Sequence, residues 1–184
     1  MPAWAQAKIL KELAPDISEL VNAIQYPSLS VVCLGYGEEQ AGDCMDGFGF
    51  LVPSREKRGI LGTVVDSNVF PGRAPEGSML FRTMVGGARA PQLADLPDEQ
   101  LLDRVRSDLR DIMGLSADPE FVKIFRHEKA IPQYRVGHAD RLAAIEKELE
   151  RFPGLVMTGN AFRGVSLNDC VLNALNIAQR IVQR

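Results

Sequence analysis

The segment Thr158-Gly-Asn-Ala-Phe-Arg-Gly-Val-Ser-Leu-Asn-Asp-Cys170 carries the residues of this chain best suited to hold a ligand. It follows a short apolar run, Gly154 to Met157, and opens an apolar-periodic stretch that reaches the C-terminus. That order predicts strand, glycine-bearing turn and helix, with Gly159 and Gly164 letting the backbone turn and approach a ligand. Ser166 and Asp169 stand three apart as a capping-box pair, which sets where the free amides of the helix start point. Unpaired N–H groups at the positive end of a helix dipole attract phosphate or another electron-rich group. The same pattern also describes an ordinary strand-to-helix connection, so spacing alone leaves both readings open.

Other catalytic chemistries have little to work with. The two histidines, His127 and His138, lie outside any H-E-x-x-H, H-x-x-x-H or Cys/His cluster, so no metal site is expected. His127 falls on a strand between charged residues and reads as a surface group. His138 follows Gly137 at a helix start, where capping accounts for it. No Ser-His-Asp order with a nucleophile elbow is present, and no residue is assigned a catalytic role. Cys33, Cys44 and Cys170 have no zinc spacing and no even count for disulfides, so they read as reduced thiols in a cytoplasmic protein.

Four zones must position the Thr158 segment. Residues 4–24 carry Leu10, Leu13, Ile17, Leu20, Val21 and Ile24 at helical spacing, broken at Pro15 into two short helices. Core packing explains this amphipathic stretch better than a membrane surface does. Residues 27–87 predict an antiparallel meander of strands at Leu29–Leu34, Phe48–Val52, Ile60–Asp66 and Met79–Val85, with a polar hairpin tip at Ser54–Arg58. A turn-rich loop, Pro71–Gly77, carries Arg73 and Glu76. Pro97–Gly114 is an amphipathic helix with Leu101, Leu102, Val105, Leu109, Ile112 and Met113 along one stripe. Residues 119–184 then read strand (Phe121–His127), helix (Ala139–Arg151), strand (Leu155–Thr158) and a terminal helix with a broad apolar face.

Composition bounds the class. A chain of 184 residues with formal net charge −3 offers a sizeable core and no basic footprint for nucleic acid. It contains no apolar stretch of roughly 20 residues able to span a bilayer, and no signal peptide is expected.

Several separated motifs, in order, resemble one family. Ala130-Ile-Pro-Gln-Tyr-Arg-Val-Gly-His138 and Phe152-Pro-Gly-Leu-Val-Met-Thr-Gly-Asn-Ala-Phe-Arg-Gly-Val-Ser-Leu-Asn-Asp-Cys170 resemble the C-terminal flavin-binding end of the protoporphyrinogen/coproporphyrinogen oxidases, in the flavin amine-oxidase superfamily. Gly47-Phe-Gly-Phe-Leu-Val-Pro53, Ile60-Leu-Gly62, Phe70-Pro-Gly-Arg-Ala-Pro-Glu-Gly77 and Val85-Gly-Gly87 extend the likeness upstream. The G-x-G-x-x-G turn with which such enzymes begin is missing: Gly35-Tyr-Gly37 and Gly47-Phe-Gly49 both lack the third glycine and the helix. The chain is therefore expected to be the C-terminal part of a longer flavoenzyme, inactive alone.

The resemblance implies an α+β fold: an antiparallel sheet flanked by helices, as part of a substrate domain over residues 1–118, and a strand–helix remnant of an FAD-binding domain over 119–184. It implies FAD contacts at Gly159, Asn160, Gly164, Val165, Ser166 and Leu167. It implies a porphyrinogen as substrate, oxidised by hydride transfer to flavin with oxygen as acceptor, in haem biosynthesis. Such a substrate, an apolar disc with propionates, needs apolar walls and one or two cations, and Leu51, Val65 and Phe70 are the expected walls, with Phe50 and Val64 beside them. A carotenoid desaturase-like enzyme and a non-catalytic interaction domain remain as alternatives. Peripheral membrane contact and homo-oligomerisation stay open.

Overall fold

Strands β1 (Leu29–Gly37), β2 (Gly49–Leu51), β3 (Ile60–Val65), β4 (Ser78–Gly86) and β5 (Phe121–His127) form one antiparallel sheet in the order β2-β3-β4-β1-β5. The structure is a computed structural model and describes residues 1–42 and 47–183; Cys44 lies outside them. The chain divides into two compact units, residues 27–130 and residues 1–26 with 131–184. That division differs from a boundary at 118/119, for a physical reason. Strand β5 hydrogen-bonds to β1 and so belongs to the sheet, and the first helices share a core with the last third of the chain.

In the 27–130 unit, alternate residues of β1 are buried. Val32, Leu34 and Tyr36 pack with Val65, Phe81 and Val85 beneath helix α5 (Asp98–Met113), which contributes Leu101, Val105 and Leu109. Tyr36 and Phe81 meet edge to face, 5.7 Å between centroids, and the buried Thr63 and Thr83 hydroxyls bond to each other at 2.8 Å. Helix α5 has acidic residues in its first turn, and Gly114 ends it at φ +74°. Only β2, β3 and β4 form a meander. The nine-residue β1 lies beyond β4 because the three-residue β2 cannot satisfy its backbone, whereas β4 and β5 can. Short helices α3 (Glu38–Ala41) and α4 (Asp66–Val69) follow β1 and β3.

In the other unit, α1 (Ala3–Leu10) and α2 (Pro15–Asn22) are separate helices, with Pro15 at the first turn of the second. Ala3, Ala7, Leu10, Ile17, Val21 and Ile24 share a core with Ile145 of helix α6 (His138–Leu149) and with Ala161 and Phe162. Leu13, expected inward, is exposed. Leu155–Thr158 is not a strand. It has no ladder partner among the described residues, and a strand exists only by pairing. Helix α7 (Leu167–Val182) forms as expected, yet none of its described side chains is buried.

Candidate functional site

The turn from Thr158 to Ser166 is held by side chains of its own unit. The capping box at the start of α7 is complete: the Asp169 N–H donates to Ser166 Oγ at 3.0 Å, and the Ser166 N–H donates to Asp169 Oδ2 at 3.2 Å. The Ser166 hydroxyl also donates to Asp169 Oδ2 at 2.6 Å. This arrangement takes the Ser166 amide out of use for a ligand. The amides of Val165 and Leu167 have no acceptor among the described residues, and both side chains are exposed. They and the positive end of α7 are what the segment presents outward.

Both turn glycines hold positive φ, +135° at Gly159 and +80° at Gly164. Their missing side chains make room for the protein itself. A Cβ at Gly159 would meet the Met1 carbonyl at 3.2 Å, and one at Gly164 would lie 2.4 Å from the Asp169 Cβ. Close approach of a ligand is therefore not needed to explain either glycine.

Residues 130–138 brace the same turn, a role that sequence reasoning missed. Tyr134 and His138 stack, 4.1 Å between ring centroids and 11° between planes. The Tyr134 hydroxyl donates to the Asn160 carbonyl at 2.7 Å. Burial pushes the Tyr134 phenol up, the neighbouring Cys170 adds to this, and a hydrogen bond from Gly164 opposes it. His138 does not cap its helix. Its ring is buried, with Nε2 at 3.3 Å from the Phe162 carbonyl and Nδ1 without a partner. From the other side Gln6 donates to the Thr158 carbonyl at 3.0 Å. A groove of about 950 Å³ opens beside the turn, lined by Leu142 and Leu149 of α6, Leu155, Met157, and Asn173 and Ile177 of α7.

The 27–130 unit holds the expected walls on two different faces of its sheet. Leu51 pairs with Gly62, and Gly62 with Met84, on the face away from α5, where Leu51 is exposed. Val65 pairs with Phe81 on the covered face and is fully buried, so it cannot line a surface site. The two-residue period assigns Val64 to the open face and Phe50 to the covered one. Phe70 follows α4, partly exposed, with the Arg73 guanidinium 5.3 Å from its ring centroid.

The open face also carries charge. Arg82 donates through Nη2 to Asp66 at 2.8 Å, and its Nε is buried without a partner. Burial raises the pKa of the neighbouring Cys33 thiol; Asp66 adds to this and Arg82 opposes it. Cys33 is consequently a neutral thiol near pH 7. Among the described residues no three His, Cys, Asp or Glu side chains gather to hold a metal ion, and no helix is long and apolar enough to cross a membrane.

Comparison with known proteins gives a consistent pattern. Residues 2–182 match the family described as flavin containing amine oxidoreductase. The chain is 34% identical over 178 residues to the mitochondrial protoporphyrinogen oxidase of Nicotiana tabacum, covering 95% of this chain and 35% of that protein. It is 34% identical over 171 residues to the coproporphyrinogen III oxidase of Bacillus subtilis (strain 168), covering 92% and 36%. A solved structure from Exiguobacterium sp. 255-15, provisionally named a protoporphyrinogen oxidase, superposes with a TM-score of 0.81 at 29% identity, over 100% of this chain and 40% of that one. The chain thus spans about a third of the length of the curated relatives it matches.

Proposed function

The chain belongs to the flavin containing amine oxidoreductase family, and on that premise we propose that it is the C-terminal portion of an FAD-dependent oxidase that converts a porphyrinogen to a porphyrin. The observation that carries this reading is the identity of 34% to porphyrinogen oxidases along almost the whole chain. The family implies a flavin, and the turn before α7 fits one. The Val165 and Leu167 amides at a helix start are free to face an electron-rich ring edge, and the turn behind them is braced by Tyr134, Gln6 and the Ser166–Asp169 box. A bound flavin would supply the hydride acceptor for the reduced macrocycle, with oxygen as the final electron acceptor.

The residues of this chain bind, orient and shield. Gly159, Asn160 and Gly164 to Leu167 form the flavin side. The helix-start amides stabilise negative charge that grows nearby, by dipoles fixed in advance. Leu51 and Phe70, with Val64 in place of the buried Val65, form apolar walls for the macrocycle. The net charge of −3 gives no support for a nucleic-acid partner.

The test is the gene product isolated from its own cells. It should carry one flavin per chain and turn added porphyrinogen into porphyrin with uptake of oxygen. The 184-residue chain expressed alone should be colourless and inactive. A native product that binds no flavin and oxidises no porphyrinogen would favour a non-catalytic domain derived from this family.

A further inference from the structure

On the open face of the sheet one row is in register across four strands. Val64 of β3 faces Arg82 of β4, Arg82 faces Cys33 of β1, and Cys33 faces Lys123 of β5. Cross-strand partners project to the same side, so these four side chains stand in line. Arg82 and Lys123 are two strand spacings apart, about 10 Å, with the neutral Cys33 between them. The adjacent rows are apolar: Leu80, Gly35 and Phe121 on one side, Met84, Val31 and Phe125 on the other. All of these residues are half-buried or exposed, whereas their neighbours in sequence on β1 are buried under α5. Gly35 leaves room for the neighbouring Phe121, whose Cβ an added Cβ would meet at 3.0 Å.

The two cations are not used up by the protein. Lys123 makes no ion pair among the described residues; its ammonium lies 5.9 Å from the Phe125 ring centroid. Asp66 holds Arg82 through Nη2, and Nη1 has no protein partner among the described residues. An apolar surface three strands wide, with two cations in its middle row, is complementary to a broad apolar molecule that carries carboxylates. We infer that this open face anchors two carboxylate side chains of the porphyrinogen, one on Lys123 and one on Arg82, while the flanking apolar rows bear on the macrocycle. The inference rests on the substrate reading above and names which cations serve it. It also gives Asp66 a role, that of fixing the Arg82 guanidinium at the surface rather than letting it sway into solvent.

The experiment is a fluorescence titration of this chain with coproporphyrin, a redox-stable tetracarboxylate, and with its uncharged tetramethyl ester. The unsubstituted chain should bind the acid more tightly than the ester. Lys123→Gln should weaken the acid about fivefold, and Lys123→Gln with Arg82→Gln about fiftyfold, with the ester changed less than about twofold. Arg82→Gln strands the buried Asp66 carboxylate and can unfold the unit. Lys123→Glu, on an exposed and unpaired side chain, therefore carries the test alone, and Lys123→Arg should restore binding. Equal affinity for acid and ester, or acid binding untouched by Lys123→Glu, overturns the anchors and leaves the substrate reading standing. Binding of neither porphyrin by the unsubstituted chain also overturns the anchors, while the substrate reading stands or falls with the native gene product.

Discussion

Gly164 sits at φ +80°, and the Asp169 side chain occupies the space its own Cβ would need. Gly164→Val should therefore cost stability, roughly 3 kcal/mol from backbone strain and crowding, as well as flavin retention in the full protein. Ser166→Ala, which loses the cap and leaves the turn backbone intact, should cost about 1 kcal/mol. Urea unfolding of both variants decides the order, and a Gly164→Val protein as stable as the parent would show that the turn can relax. Cys33 gives a pH prediction. Its folded pKa is raised, first by burial and then by Asp66, so the stability it contributes is complete below the ordinary thiol value and is lost as pH rises through the folded one. Unfolding free energies of the parent and Cys33→Ala should diverge least at high pH. Peptide-resolved alkylation should label Cys33 at a higher pH in the folded than in the unfolded chain, and labelling at or below the ordinary thiol value would point to a thiolate-stabilising site instead. The Ser166–Asp169 cap could be read in the sequence because its partners are three residues apart. The Arg82–Asp66 pair, sixteen apart, and the insertion of His138 against Phe162, twenty-four apart, depend on tertiary packing that no local spacing reports.

Asp108 fastens helix α5 to the start of β3. Asp108 Oδ2 accepts from the Gly59 N–H at 2.8 Å and from the Ile60 N–H at 3.1 Å, and Arg58 approaches its other oxygen at 3.4 Å. Asp108→Ala leaves two buried amides unanswered and should cost about 2–4 kcal/mol, while Asp108→Asn keeps an acceptor and should cost less. Equilibrium denaturation should show a lower midpoint at an unchanged slope; a full-strength Asp108→Ala protein would mean that water satisfies these amides. The role of Asp108 was not legible in the sequence, because its partners arrive from a strand start that periodicity does not reveal. The helix itself was legible from its apolar stripe and its glycine stop. Strand order was not. Alternation identifies a strand and its buried face, but a register choice between β2 and β4 is made by length and by the partners that come later. The same blindness turned Leu155–Thr158 into an expected strand, since an apolar run says nothing of whether a neighbour exists to pair with it.

At the scale of the whole chain, α7 exposes Leu167, Leu172, Leu175 and Val182 with no buried residue to anchor it. A contiguous apolar face of this kind favours association. Sedimentation should show mass rising with concentration, and Leu172→Glu with Leu175→Glu should return a monomer at all concentrations. A parent that stays monomeric throughout would mean that α7 covers its face in solution. The 27–130 unit is inserted into the other, and its ends meet: the Ala130 N–H donates to the Pro27 carbonyl at 3.1 Å. Residues 27–130 expressed alone should therefore melt cooperatively, and a molten product would show that the insertion leans on its host. The position of β1 in the sheet bears on how the chain is born. β1 is made before the other strands of its sheet, yet its two edges are completed only by β4 and β5. With translation at 5–20 residues per second, it waits on the order of 10 s for Phe121–His127 to emerge. Until Ser78–Gly86 is made Val31 to Leu34 have no strand to pair with, and one edge of β1 stays open until β5 arrives, so the hazard of misassembly falls during synthesis, before the finished fold exists to be destabilised.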